Sequence, residues 1–144
     1  MLKIILTDDD EDDRLFFKEA IDDISVETEL QLFNHGQDLM TYLETPNTKL
    51  PDLLFLDLNM PIKNGMECLK EIKANKQLQH IIIAIYSTSS SEQDIENTFV
   101  NGANIYIKKP SSFKALKKAV EKVLKVNWQY HTSNFNRDTF LLRI

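Results

Sequence analysis

Three carboxylates, two hydroxyls and one lysine stand where short apolar runs of this 144-residue chain give out. Asp8 and Asp9 follow Lys3–Thr7, and Asp57 closes Leu53–Asp57 ahead of Leu58-Asn59. Ser87 and Thr88 follow Ile81–Tyr86, and Lys109-Pro110 follows Asn104–Lys108. If these run ends converge, three carboxylates share one small volume. At about 4 Å each pair repels by roughly 4 kcal/mol at an effective dielectric near 20, a cost that a divalent cation removes. All-oxygen ligands without Cys or His suit Mg2+, which keeps waters and bridges phosphate oxygens. A cation beside Lys109 and the Ser87 and Thr88 hydroxyls makes a receptacle for a phosphoryl group, with an aspartate available as covalent acceptor.

Each residue alone has a plainer explanation. Acids in the first turn of a helix are stabilised by its dipole, and this accounts for Asp10, Glu11, Asp12 and Asp13. It does not account for Asp8 and Asp9, which precede the helix. Asp57 could be a cap, Ser87 and Thr88 loop polars, Lys109 a surface charge. Their coincidence at four run ends carries the chemical reading.

The elements that must position them follow from periodicity. Strand-length apolar runs lie at Lys3–Thr7, Glu29–Phe33, Leu53–Asp57, Ile81–Tyr86 and Asn104–Lys108. Helical patterns fill the gaps at Asp10–Asp23, Gln37–Glu44, Met66–Asn75, Ser91–Asn101 and Ser112–Lys125. In the first helix Leu15, Phe16, Ala20, Ile21 and Ile24 mark the expected buried face. Ser89-Ser90-Ser91 and Ser111-Ser112 cap two helix starts, and Asn101-Gly102 ends the fourth helix. Five β-α repeats predict an α/β fold, a doubly wound parallel sheet with helices on both faces. In such sheets ligands bind at the carboxyl ends of the strands, where the six residues stand.

Composition narrows the function classes. A net charge of −5 and a pI near 5.2 argue against coating nucleic acid. A single Cys68 excludes an intrachain disulfide, and the expected compartment is the reducing cytoplasm. His35, His80 and His131 lack metal-ligand spacing, and Gly36, Gly65 and Gly102 do not cluster as a phosphate loop. The longest apolar run, Ile81 to Tyr86, is far below a membrane span. No partner of nucleic acid or membrane is therefore expected.

The pattern resembles the receiver domain of two-component response regulators, over residues 2 to 126. The motifs that carry it are Asp8-Asp9, Asp57-Leu58-Asn59-Met60-Pro61 with Gly65, Ser87-Thr88, Lys109-Pro110, Gly102-Ala103 and Tyr106. The resemblance implies a flavodoxin-like (βα)5 fold with strand order 2-1-3-4-5. It implies Asp57 as phosphoacceptor, and Asp9, Asp57 and the Asn59 carbonyl as Mg2+ ligands, with Asp8 acting mostly through water. Ser87 and Lys109 would hold phosphoryl oxygens, with Thr88 beside them. Ser87 and Tyr106 would form a switch, and Lys109-Pro110 would be a cis bond. The implied partner is a sensor histidine kinase or a histidine phosphotransfer protein. Thr88 departs from the family, which often has Ala or Gly there, and a bulkier residue can crowd the pocket.

Residues 1–126 are read as the receiver domain and 127–144 as an apolar C-terminal extension without an output domain. The extension holds Trp128, Tyr130, Phe135, Phe140, Leu141, Leu142 and Ile144, too few residues for a second domain and too apolar for an idle tail. It resembles the short extensions of single-domain receivers, including some paired with bacteriophytochrome kinases. It can dock on its own domain, on a second copy or on a kinase. Lys108, Lys109, Lys114, Lys117, Lys118, Lys122 and Lys125 make either a solvated face or a patch for an acidic partner. The expected function is a stand-alone response regulator, not an enzyme with a diffusing substrate. It would signal through a downstream protein or a self-dimer, using the fourth helix, fifth strand, fifth helix and tail, or by passing the phosphoryl group onward to a phosphotransfer histidine. The alternative is an interaction module with the same fold that uses no phosphorylation.

Overall fold

The computed structural model describes residues 1–126 and 140–142. Five strands, β1 (Leu2–Thr7), β2 (Thr28–Phe33), β3 (Leu53–Leu56), β4 (Ile82–Ser87) and β5 (Ile105–Lys108), alternate with five helices. The helices are α1 (Glu11–Asp22), α2 (Gly36–Glu44), α3 (Gly65–Ala74), α4 (Glu92–Val100) and α5 (Phe113–Leu124). All strand pairs are parallel, in the order β2-β1-β3-β4-β5. This is the flavodoxin-like arrangement that the motif pattern implies, with element ends within a residue or so of those read from periodicity.

The central strands are apolar over most of their length because helices cover both faces of the sheet. Ile4 and Leu6 pack with Phe17 of α1 and Val120 of α5, while Ile5 packs in the opposite layer with Leu39 of α2 and Leu69 of α3. The buried stripe of α1 departs from expectation by one position. Leu15 is 55% exposed, and Phe17, at 0%, takes the core position. Phe17, Ala20, Ile21 and Ile24 form an i, i+3, i+4, i+7 series, and Leu15 lies well around the helix from it. Phe17 then packs edge-on against Phe55 of β3 and Tyr86 of β4.

Local capping fixes where each helix leaves the strand ends. The side chains of Asp10, Asn64, Ser91 and Ser112 accept backbone N–H groups in the first turns of α1, α3, α4 and α5. At α3 the cap is reciprocal, since Glu67 also accepts the Asn64 N–H. Gly102 closes α4 at φ +96, a conformation that favours glycine.

No peptide bond among the described residues is cis, Lys109–Pro110 included. This corrects the expected cis bond. The trans form is the one an X–Pro bond favours by about 0.5–1 kcal/mol, and just before it the Lys109 N–H donates to the Ser87 carbonyl at 2.8 Å. Among the described residues no helix is long and apolar enough to cross a membrane.

Candidate functional site

Parallel pairing of β1 with β3, and of β4 with β5, brings the carboxyl ends of four strands to one rim. Thr7 aligns with Leu56 and Ser87 with Lys108. Backbone bonds extend this order past the strands. Asp57 N–H donates to the Thr7 carbonyl at 3.0 Å, and Asp8 N–H to the Phe33 carbonyl at 3.1 Å. Gly65 locks the loop after β3, donating its N–H to the Leu58 carbonyl at 3.0 Å. A Cβ at Gly65 would stand 2.1 Å from the Asp57 carbonyl oxygen, so only glycine lets α3 start this close to Asp57.

The structure brings Asp8, Asp9 and Asp57 together, with one ligand oxygen from each lying within 4.8 Å of the others. Asp8 and Asp57 are buried and Asp9 is exposed, so the group opens to solvent on one side. Asp8 Oδ2 is reached by the Lys109 ammonium at 2.8 Å and by no other donor among the described residues. Asp57 Oδ1 receives only a long contact, 3.4 Å, from the Asn59 N–H. Lys109 Nζ lies 3.4 Å from Asp57 Oδ2 and 5.4 Å from the centre of the Tyr86 ring.

Burial sets the electrostatics. It pushes the Asp57 carboxyl up to about 6, against the opposing pull of Lys109, and the Asp8 charge adds to the rise. Burial likewise raises Asp8 against Lys109. For Lys109 burial alone would lower the value, but its carboxylate partners, Asp8 and Asp13 first, outweigh it and push the ammonium up. Lys109 therefore stays charged beside carboxylates that burial has made poor anions, a donor set of oxygens that fits a hard divalent cation.

Ser87 is fully buried at the end of β4, and its Oγ accepts the Ser89 N–H at 3.1 Å. Tyr106 is fully buried on β5, and its hydroxyl donates to the Ser89 carbonyl at 2.8 Å. Ser89 thus joins Ser87 to Tyr106, and its own hydroxyl donates to Asp94 of α4 at 2.6 Å. Thr88 and Asn59 are exposed at the mouth. Thr88 makes no hydrogen bond among the described residues.

Two participants are not legible as such in the sequence. Asp13, which helix-dipole reasoning explains away, reaches Lys109 at 2.9 Å. Arg14 donates to the Asp8 carbonyl at 2.7 Å. No local pattern marks either, because the acids of the first turn of α1 all satisfy the same helix dipole.

The end of the chain also touches this region. Phe140 is fully buried, edge-on to Phe99 of α4 and Tyr106 of β5. Leu141 forms a parallel bridge with Tyr106, and Leu142 N–H donates to the Tyr106 carbonyl at 2.9 Å. Trp128, Tyr130, Phe135 and Ile144 lie outside the described residues. In the lysine set, Lys109 belongs to the site rather than to a surface patch, and Lys117 pairs with Asp23 at 2.8 Å.

Comparison with known proteins places this geometry. The response regulator receiver domain model matches residues 4–121. Response regulator Rcp1 of Synechocystis sp. (strain ATCC 27184 / PCC 6803 / Kazusa) is 33% identical over 122 residues, covering 82% of this chain and 83% of that protein. The crystal structure of the Mn2+-bound form of Rcp1 superposes with a TM-score of 0.78 at 28% identity, covering 94% of this chain and 98% of that one. That of the phosphorylated cyanobacterial phytochrome response regulator RcpA gives a TM-score of 0.79 at 32% identity, covering 94% and 96%. With four strand ends meeting at one acidic rim and this match across most of its length, the chain belongs to the response regulator receiver domain family.

Proposed function

We propose that this chain accepts a phosphoryl group on Asp57 from a histidine kinase or a histidine phosphotransfer protein, and signals by the protein contacts that follow. The observation that carries the reading is the Lys109 ammonium 3.4 Å from Asp57 Oδ2, inside a carboxylate trio whose oxygens lie within 4.8 Å. Asp57 is the trio's buried member with a nearly free oxygen, since Oδ1 has only its 3.4 Å contact with the Asn59 N–H. That oxygen would attack phosphorus as the donor's P–N bond breaks. The electron pair leaves on the donor histidine nitrogen, and an aspartyl phosphate forms.

Mg2+ would be held by Asp8, Asp9 and Asp57 with the Asn59 carbonyl, and would neutralise charge on the phosphoryl oxygens. Lys109 supplies a second positive charge, and Ser87, with Thr88 at the mouth, supplies hydroxyl donors. Ser87 and Tyr106, joined through Ser89, would carry the signal to the face of α4, β5 and α5, where a downstream protein or a second copy would bind. The chain turns over no diffusing substrate beyond slow loss of its own phosphoryl group. The chain would act as a receiver domain over 1–126 with an extension over 127–144, and one cysteine without a disulfide partner suits work in the reducing cytoplasm.

The test is intact-mass spectrometry after incubation with a small phosphodonor and Mg2+. A single phosphoryl adduct is expected, lost on chelation and absent in Asp57→Asn. An adduct that persists in Asp57→Asn would move the acceptor elsewhere. No adduct at all would leave the fold with a use independent of phosphorylation.

A further inference from the structure

The Lys109 ammonium has three N–H donors, and three carboxylates crowd them. Asp8 Oδ2 lies at 2.8 Å, Asp13 Oδ2 at 2.9 Å and Asp57 Oδ2 at 3.4 Å. The two short contacts pull the ammonium toward the start of α1, and the longest is the one to Asp57. A helix-dipole role alone would leave Asp13 as exposed as Asp10, Glu11 and Asp12, but its side chain turns in to a lysine 96 residues away. Its backbone is fixed in that place by the cap, where the Asp13 N–H donates to Asp10 Oδ1 at 3.0 Å.

Asp13 stands outside the carboxylate trio that could hold a cation. A cation on Asp8, Asp9 and Asp57 would draw on two of the three anions that now neutralise Lys109. Asp13 would then be the remaining anion in contact with it. A phosphoryl group on Asp57 needs that same positive charge.

We propose that Asp13 is a positioning residue for the chemistry at Asp57: it holds a share of the Lys109 charge in the resting site, and an incoming phosphoryl group has to compete with it. This rests on the reading of Asp57 as acceptor. Asp13 therefore acts as a brake, set by the chain's own α1, on how readily the site is phosphorylated. The ion pair is partly open to solvent, with the Asp13 side chain 37% exposed, so the brake is modest.

The experiment measures the rate of adduct formation by intact mass, with a small anionic phosphodonor and saturating Mg2+. Asp13→Asn keeps an oxygen acceptor for Lys109 and removes the charge. It should raise the rate about three- to tenfold, equivalent to about 0.6–1.4 kcal/mol in the barrier. Asp13→Glu, which restores the charge, should bring the rate back toward that of the wild type. Asp12→Asn is the control for general relief of negative charge, because Asp12 is exposed on the same turn and is not a partner of Lys109. It should change the rate less than twofold. An Asp13→Asn rate equal to or below that of the wild type overturns the proposal, as does an equal acceleration by Asp12→Asn. A wild-type chain that forms no adduct on Asp57 overturns the acceptor reading itself, and this proposal with it.

Discussion

The Tyr106 hydroxyl donates to the Ser89 carbonyl at 2.8 Å, from a ring that is fully buried. The bond ties the edge strand β5 to the loop that follows β4, two residues beyond Ser87. The ring is held on its other side by Phe140, and its backbone carbonyl by Leu142. Tyr106 is thus a joint between the acidic rim and the end of the chain.

Removing only the hydroxyl isolates that joint. Tyr106→Phe keeps the ring contacts and leaves the Ser89 carbonyl without its donor. The expected loss is about 0.5–1.5 kcal/mol, the net worth of one such bond. Urea denaturation should show it as a lower midpoint with an unchanged slope. An unchanged midpoint would mean that water replaces the hydroxyl without cost.

Burial of the acidic rim predicts an inverted pH dependence for the metal-free protein. Asp57 sits at about 6 when folded, above the ordinary carboxylate value near 3.8, so the folded state binds more protons between these values. Stability from this group is therefore largest below about pH 4 and falls as pH rises through 6, by on the order of 2–3 kcal/mol. Asp8 shifts in the same direction. Denaturation in chelator at pH 5 and pH 7.5 should show the gain at the lower pH. Asp57→Asn should flatten the profile and stabilise the protein at pH 7.5. A profile identical to that of wild type would assign the dependence to other groups.

Mg2+ should remove the same electrostatic penalty by another route. A ligand bound only by the folded state stabilises it by about 2.7 kcal/mol at a hundred times its Kd. Asp9 is the exposed member of the trio, so Asp9→Asn should fold normally, gain slightly in chelator and lose most of the Mg2+ response. Thermal melts with and without the ion read this directly. Equal responses in mutant and wild type would exclude Asp9 as a ligand.

The strand ends are legible in the sequence because runs such as Leu53–Leu56 are apolar on both faces and stop abruptly at a charged residue. Parallel topology then puts Asp8, Asp9, Asp57 and Lys109 on one edge of the sheet, and the strand order that the family motifs imply sets β1 beside β3 so that they meet. Rotation within a helix is less legible. Leu15, Phe16 and Phe17 are adjacent and all apolar, so the choice among them rests on the finer spacing of Phe17 with Ala20, Ile21 and Ile24, which its packing on Phe55 and Tyr86 bears out. Asp13 is hidden for a related reason. Four acids in one helical turn satisfy the same dipole, and nothing local singles out the one that reaches Lys109 across 96 residues. The apolar character of the chain end is evident, but the pairing of Leu141 with Tyr106 depends on an edge strand that only the assembled sheet exposes.

Ile62 carries a backbone strain that no local preference explains. Its φ is +69 and its side chain is 77% exposed, in the loop between Asp57 and α3. A β-branched residue in the left-handed region is disfavoured by about 1–2 kcal/mol. Asn tolerates that region, so Ile62→Asn should stabilise the fold by about 0.5–1 kcal/mol. Chemical denaturation measures it. A loss of stability would show that the exposed Ile62 side chain contributes packing that outweighs its strain.

Phe140 is the anchor of the chain end, and its truncation tests how much the fold depends on that end. The ring is fully buried between Phe99 and Tyr106, at centroid distances of 5.3 and 6.1 Å, both edge-on. A Phe→Ala change in a core usually removes about 3–5 kcal/mol. Here the short segment can release from the β5 edge instead of leaving a cavity, so about 2–3 kcal/mol is expected. The aromatic pairing itself should appear as a coupling of about 0.5–1.5 kcal/mol between Phe140→Ala and Phe99→Ala in a double-mutant cycle. Loss of the segment would also free the Tyr106 carbonyl, which now accepts from Leu142, so its burial helps hold the joint to Ser89. Phe140→Ala should therefore weaken the effect of Tyr106→Phe, because a loosened ring has less of its hydroxyl bond to lose. Additive effects of those two substitutions would separate the chain end from the acidic rim.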